Sequence, residues 1–378
     1  MKKYPVLFLL LCLMGCELIV DIDVPFEHEQ LTLNSIFNPD SVWTASLSLN
    51  RHILDGQPIK RVDNALVIVY QDGAPIDTLL HQSNGNYESR SGKPFIGINY
   101  QIRAVAEQYQ PVVGRSQIPM PAPIISVEVT KGTKPDGQPD NTVFVRFQDD
   151  PAVQNYYEIA LEQTGEYIGP PTPVIIPYRQ FVRIESDDLG IENVNTNSIE
   201  SIVFKDIFFN GKEAEVSFKA LGSDIKYAGS INVYLRTLSK DDYQYKTTAQ
   251  LQDDTSGNPF AQPVNVYNNI ENGFGIFAGF SQSSFTVSNP RPVISDISPM
   301  TGKPGDHIII AGENLMIPPY GFPTVYFTGV ELLEFSQTVR VTETEIEVIV
   351  PQNAVTGKIY VRSSDLVATS DGDFEVIN

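Results

Sequence analysis

Trp43-Thr44-Ala45-Ser46-Leu47-Ser48-Leu49 places an apolar residue at every second position and a small hydroxyl residue between them. That is the period of a strand with one face in a core and the other toward water. A helix would put Trp43 and Ala45 on different faces. The same reading extends outward in both directions. Leu31-Thr32-Leu33-Asn34-Ser35-Ile36-Phe37 precedes it, joined by Asn38-Pro39-Asp40-Ser41, a turn in which Pro presets the second position. Ala65 to Tyr70 is β-rich, Gln71-Asp72-Gly73 and Asn84-Gly85 are turns, and Tyr100, Ile102, Ala104 and Ala106 alternate again. Short strands at this spacing predict an immunoglobulin-like β-sandwich over residues 30–121. The stiff run Ile118-Pro119-Met120-Pro121-Ala122-Pro123 is a linker and a domain boundary.

A central β-rich domain is expected over residues 122–289. Ile125, Val127 and Val129 alternate, as do Val143, Val145 and Phe147, then Val216, Phe218 and Ala220, then Ile231, Val233 and Leu235. The pattern predicts one short helix near 239–252. Ser239 is its N-cap, and Asp241 and Asp242 complement the helix dipole. Further on, Phe274, Ile276, Ala278 and Phe280 alternate as a strand, and the glycines between them leave room for another backbone. Residues 290–378, with β-rich runs at Ile308–Ala311, Thr324–Thr328, Ile346–Val350 and Ile359–Arg362, are long enough for a third small domain. The fold class read from the chain is therefore mainly β, tandem immunoglobulin-like sandwich modules with one short helix.

The 378 residues exceed one hydrophobic core, and 42% hydrophobic content is enough to fill several. Against 26 Lys and Arg stand 46 Asp and Glu, a formal net charge of −20. An acidic surface repels phosphate backbones, so nucleic acid is not an expected partner. Two Cys and four His exclude a disulfide scaffold and disfavour a His/Cys zinc centre.

The chain begins with a leader pattern. Lys2 and Lys3 precede an apolar run, Val6 to Met14, too short to span a bilayer at about 20 residues. It ends in Leu13-Met14-Gly15-Cys16, which resembles the bacterial lipobox. The resemblance implies a signal peptide over residues 1–15, cleavage after Gly15, lipidation of Cys16, and a lipidated tether over residues 16–29. Several acyl chains anchor durably where one binds marginally. Cys12 leaves with the leader, as do Lys2 and Lys3, so the mature chain is more acidic and has one Cys.

Two further resemblances carry expectations. Pro292-Val293-Ile294-Ser295-Asp296-Ile297-Ser298-Pro299, Gly302, Gly305, Gly312-Glu313-Asn314-Leu315 and Thr356-Gly357-Lys358-Ile359-Tyr360-Val361 resemble the IPT/TIG family, an immunoglobulin-like fold, over residues 291–378. Residues 16–289 resemble the Bacteroidota lipoproteins of domain-of-unknown-function family 4249. The matching phrases are Asp21-Ile22-Asp23-Val24-Pro25, Leu31-Thr32-Leu33-Asn34, Asp150-Pro151 before Asn155-Tyr156-Tyr157, and Val266 to Gly279. Asn272 stands where that resemblance implies a glycine. It also implies an outer-membrane location and a TonB-dependent β-barrel receptor as partner. It supplies no catalytic residues. The few acidic residues after Cys16 (Glu17, then three apolar residues before Asp21) leave both the cell surface and the periplasmic face open.

No G-x-S-x-G elbow or H-E-x-x-H helix occurs, and Gly302-Lys303 lacks the earlier glycine of a P-loop. His28, His52, His81 and His307 are scattered and read as surface or loop residues. Among the acidic pairs, Asp149-Asp150 with Asn155 close by is the first to inspect for acid–base work or calcium; Asp253-Asp254 and Asp371-Gly372-Asp373 read as turns. Trp43 and one of Tyr156-Tyr157 are expected in cores, with Tyr243 and Tyr245 packing the helix on a sheet. No cofactor, metal site or catalytic residue is expected. The first functional reading is a non-enzymatic accessory or ligand-capture lipoprotein of a TonB-dependent transporter. The second is a stand-alone surface protein binding glycan or peptide, and the third an envelope hydrolase using Asp149 or Asp150.

Overall fold

In the computed structural model, the described residues are 28–377. Excepted are 53–54, 131, 133–139, 170–173, 187–199, 222–224, 226–227, 256–261, 263, 318–321 and 330–335. Gly15, Cys16 and the tether up to residue 27 lie outside the described residues.

Among the described residues the chain is mainly β with one helix, Lys240–Thr255, three large apolar cores and a small cluster under the helix. The first core holds Leu33, Phe37, Trp43, Leu47, Val67 and Ile102. Trp43 is buried, with its ring 4.8 Å from those of both Phe37 and Tyr100. The hairpin turns expected at Asp72-Gly73 and Asn84-Gly85 have positive φ at both residues, the geometry that matches the strand twist.

In the first two bodies one strand turns the corner between the two layers. Ala74–Ser83 pairs with Leu66–Gln71 at its start and with Asn86–Glu88 at its end. Val174–Glu185 pairs with Tyr156–Gly169 over its first nine residues, then with Glu213–Leu221. Pro177 sits where this strand has no second ladder partner, so its missing N–H costs nothing.

The first and central bodies are joined by a shared strand. Phe274–Ser288 runs parallel to Leu31–Phe37 through Gly279, then antiparallel to Ser230–Leu238 from Phe280 onward. Ile270 and Phe277, central-block residues by chain order, therefore pack in the first core. Glycine makes the parallel pairing possible. Gly275 has φ +118°, and a Cβ there would collide with the Leu33 carbonyl oxygen. Asn272 takes φ +61°, a left-handed conformation that Asn tolerates best after glycine.

The third body, from Val293 to Val376, packs Ile308, Ile310, Val325, Phe327, Val348 and Val361. Asn314, with φ +55°, donates from Nδ2 to the Arg291 carbonyl at 3.0 Å, which closes the bend after the His307–Glu313 strand. This body is docked on the central one. Arg291 binds Glu166 through two nitrogens at 2.7 and 2.9 Å, the Val367 N–H donates to the same carboxylate at 3.0 Å, and Tyr178 donates to Asp365.

Candidate binding cleft

The helix starts at the junction of the first two bodies. Ser239 caps it, its Oγ accepting the Asp242 N–H at 3.2 Å, while the Ser239 N–H donates to the carbonyl of Gly279 in the shared strand. Asp241 then ties both bodies to the helix. It accepts from Ser116 of the first sandwich at 2.9 Å and from Tyr267 of the returning chain at 2.7 Å. Burial and that bond push the Tyr267 hydroxyl up to about 12.

The helix face toward the sheet carries charge as well as apolar contact. Tyr243 packs on Tyr156 with ring centroids 4.6 Å apart. One turn on, Lys246 reaches Glu158 at 2.8 Å, where Arg236 also binds at 2.9 Å and Ser201 donates at 2.8 Å. Burial alone would raise the Glu158 carboxyl; Lys246 and Arg236 outweigh it and hold it below the usual carboxylate range. Asp242 is the odd member. It is fully buried, neither oxygen has a hydrogen-bond partner among the described residues, and burial pushes it up to about 6.

Past this junction, the helix and the outer face of the first sandwich enclose a cleft of about 550 Å³. Its floor is a row of opposed residues across adjacent strands. Ser83 stands opposite Asn86, Asn86 opposite Ser46, Ser46 opposite Asn34, and Asn34 opposite Ile276. Tyr245 of the helix, Ile36 and Glu88 complete the walls. An inter-body cleft with convergent polar groups is the default location for a ligand.

A larger groove of about 830 Å³ in the first sandwich is lined by Trp43, Ile76, Phe95, Ile96 and Tyr100, among others. Phe95 is 68% exposed, yet its loop is pinned. The Phe95 N–H donates to the Tyr100 hydroxyl at 2.8 Å and the Gly97 N–H to the Ile118 carbonyl at 2.7 Å.

The Asp149-Asp150 pair is a loop brace. Asp149 is buried; one oxygen accepts the Tyr157 hydroxyl and the other the Gly211 N–H at 2.6 Å. Burial and that carboxylate raise the Tyr157 hydroxyl far above its usual value. Asp150 accepts from the Ala152 N–H at 2.9 Å, and Asn155 donates to the Asp150 and Val153 carbonyls at 2.8 and 3.0 Å. The family phrase around these residues is thus explained by two interlocked loops. Tyr157 is in the central core, as expected for one of the tyrosine pair. Asp253 and Asp254 lie in the last turn of the helix, not in a turn after it.

His307 opens a strand and bonds Glu347 at 2.9 Å, and His81 bonds Asp63 at 3.0 Å. Among the described residues no group of three or more His, Cys, Asp or Glu is placed to hold a metal, and no helix is long and apolar enough to cross a membrane. The polar row itself was missed in the sequence. Its members lie far apart in the chain, and only the strand register lines them up.

The family model for a domain of unknown function, DUF4249, matches residues 18–286. The chain belongs to this family. A second family model, IPT/TIG, matches residues 292–375, the third body. No curated protein matches the chain.

Solved structures match it over a part or most of its length. A structural-genomics protein of unknown function from Bacteroides thetaiotaomicron VPI-5482 shares 22% identity with a TM-score of 0.20, over 24% of this chain and 22% of that one. A protein crystallised with a xylogluco-oligosaccharide shares 12% identity with a TM-score of 0.23, over 90% of this chain and 58% of that one. A tetra-tandem repeat from the extending region of a large adhesion protein shares 9% identity with a TM-score of 0.17, over 92% and 74%. The chain thus spans about a fifth of the first of these and just over half of the second. The family assignment rests on the family models.

Proposed function

We propose that this chain is a non-enzymatic, lipid-anchored protein of the outer membrane that captures a ligand for a TonB-dependent β-barrel transporter. The observation that carries the reading is the cleft between helix and first sandwich, with unpaired amides and hydroxyls and no nucleophile–base pair among its lining residues. Lipidation at Cys16 would hold the cleft beside its membrane partner and raise effective concentration without a tight interface. Phe95, Ile76 and Ile96, exposed on a pinned loop and strand, supply a surface of the kind a protein partner covers.

The test is recovery of the native, lipidated full chain from outer membranes in mild detergent. A barrel protein should co-purify, and Phe95→Asp should lose it. Recovery with no barrel protein overturns the transporter part of the reading. A second reading is a surface binding protein that acts without a transporter; ligand binding without any barrel would select it.

A further inference from the structure

We infer that the cleft takes an uncharged, hydroxyl-rich ligand, an oligosaccharide segment laid across the strands against Tyr245. The inference rests on the capture reading and names its ligand class. The row from Ser83 through Asn86 and Ser46 to Asn34 crosses three inter-strand steps, about 14 Å at the usual strand spacing. It alternates hydroxyl and amide. Each amide offers two donors and an acceptor, and each hydroxyl one donor and two lone pairs, the complement of a ligand that presents hydroxyls in series. Asn34, Ser46, Ser83 and Asn86 make no side-chain hydrogen bond within the protein among the described residues, so the row has its full capacity to offer. Ile36 and the Tyr245 ring give the apolar surface that sugar C–H faces pack on.

The same wall argues against other ligands. No Lys or Arg lines the cleft, and Glu88 is its one charge, so phosphate, carboxylate and acidic sugars find no counter-ion in an acidic protein. An extended peptide binds by adding a strand to a free edge. The strands carrying Asn86, Ser46 and Asn34 are each paired on both sides, so no edge is offered.

Affinity electrophoresis of the lipidated full chain in detergent tests this. The gels carry soluble starch, xylan, barley β-glucan, galactomannan or polygalacturonate, and calorimetry with a tryptic casein digest covers peptides. At least one neutral polysaccharide should retard the protein. Tyr245→Ala and Asn34→Ala should each weaken that binding tenfold or more, while Tyr245→Phe keeps most of it. If Tyr245→Ala lowers the melting temperature, exposed Asn86→Ala serves in its place. Retardation by no neutral polysaccharide, retardation unchanged in these variants, or binding confined to polygalacturonate or peptides overturns the inference. The barrel pull-down is scored independently, so loss of the glycan result leaves the partner result standing, and the reverse.

Discussion

Asp242→Asn should make the protein more stable at neutral pH, and the gain should vanish in acid. The buried Asp242 carboxyl is raised from 3.8 to about 6 in the folded chain, chiefly by burial, with Lys246 and Arg236 only partly compensating. A shift of that size is worth about 3 kcal/mol at 1.36 kcal/mol per unit. Between about pH 4 and pH 6 the folded chain holds a proton that the unfolded chain has released, so stability falls as pH rises through that window. Above it the full penalty applies.

Asparagine has the same shape and no charge to bury, so the variant escapes the penalty. The measurement is urea unfolding of wild type and variant, followed by far-ultraviolet circular dichroism. At pH 7.5 the variant should gain about 3 kcal/mol, and at pH 4.5 only about 1 kcal/mol. Equal stability at pH 7.5, or a gain of the same size at both pH values, would refute the reasoning.

Gly275→Ala should cost about 3 kcal/mol or more, because its Cβ meets the Leu33 carbonyl and φ is +118°; urea unfolding measures it, and an unchanged midpoint counts against the close pairing. The fluorescence of Trp43, the single tryptophan, should change at the same urea concentration as the circular dichroism of the first two bodies, since Phe274–Ser288 belongs to both. A Trp43 transition well separated from the main one would refute that coupling. Glu166→Gln should loosen the third body by about 1 kcal/mol, given that its partner Arg291 is half exposed. Arg291 holds the Glu166 carboxyl below its usual value, so this contribution is present at neutral pH and lost as pH falls through the depressed value. Faster proteolysis between residues 287 and 292 reports it.

Much of the fold was legible because one buried face imposes period two. Trp43 to Leu49, Val143 to Phe147 and Ile231 to Leu235 all sit where their alternation puts them. Ser239 caps the helix as its residue type implies. Strands without that constraint were silent. Val174–Glu185 is rich in β-branched and aromatic residues, but it is exposed over much of its length and contains Pro177, so no clean alternation marks it. The Asp149-Asp150 pair looked like chemistry in sequence, but Tyr157 and the Gly211 N–H, distant in the chain, occupy its buried member.

By itself the sequence determined the local matters: strands, turns, the helix start, and the glycines that permit a close parallel neighbour. These depend on side-chain period and backbone freedom within a few residues. Only the tertiary structure decided that one strand serves two bodies, that the buried Asp242 carboxylate has no hydrogen-bond partner among the described residues, and that Ser83, Asn86, Ser46 and Asn34 form one row. The physical reason is register. Which residues stand opposite one another across a sheet depends on pairing between distant segments, and composition along the chain carries no record of it.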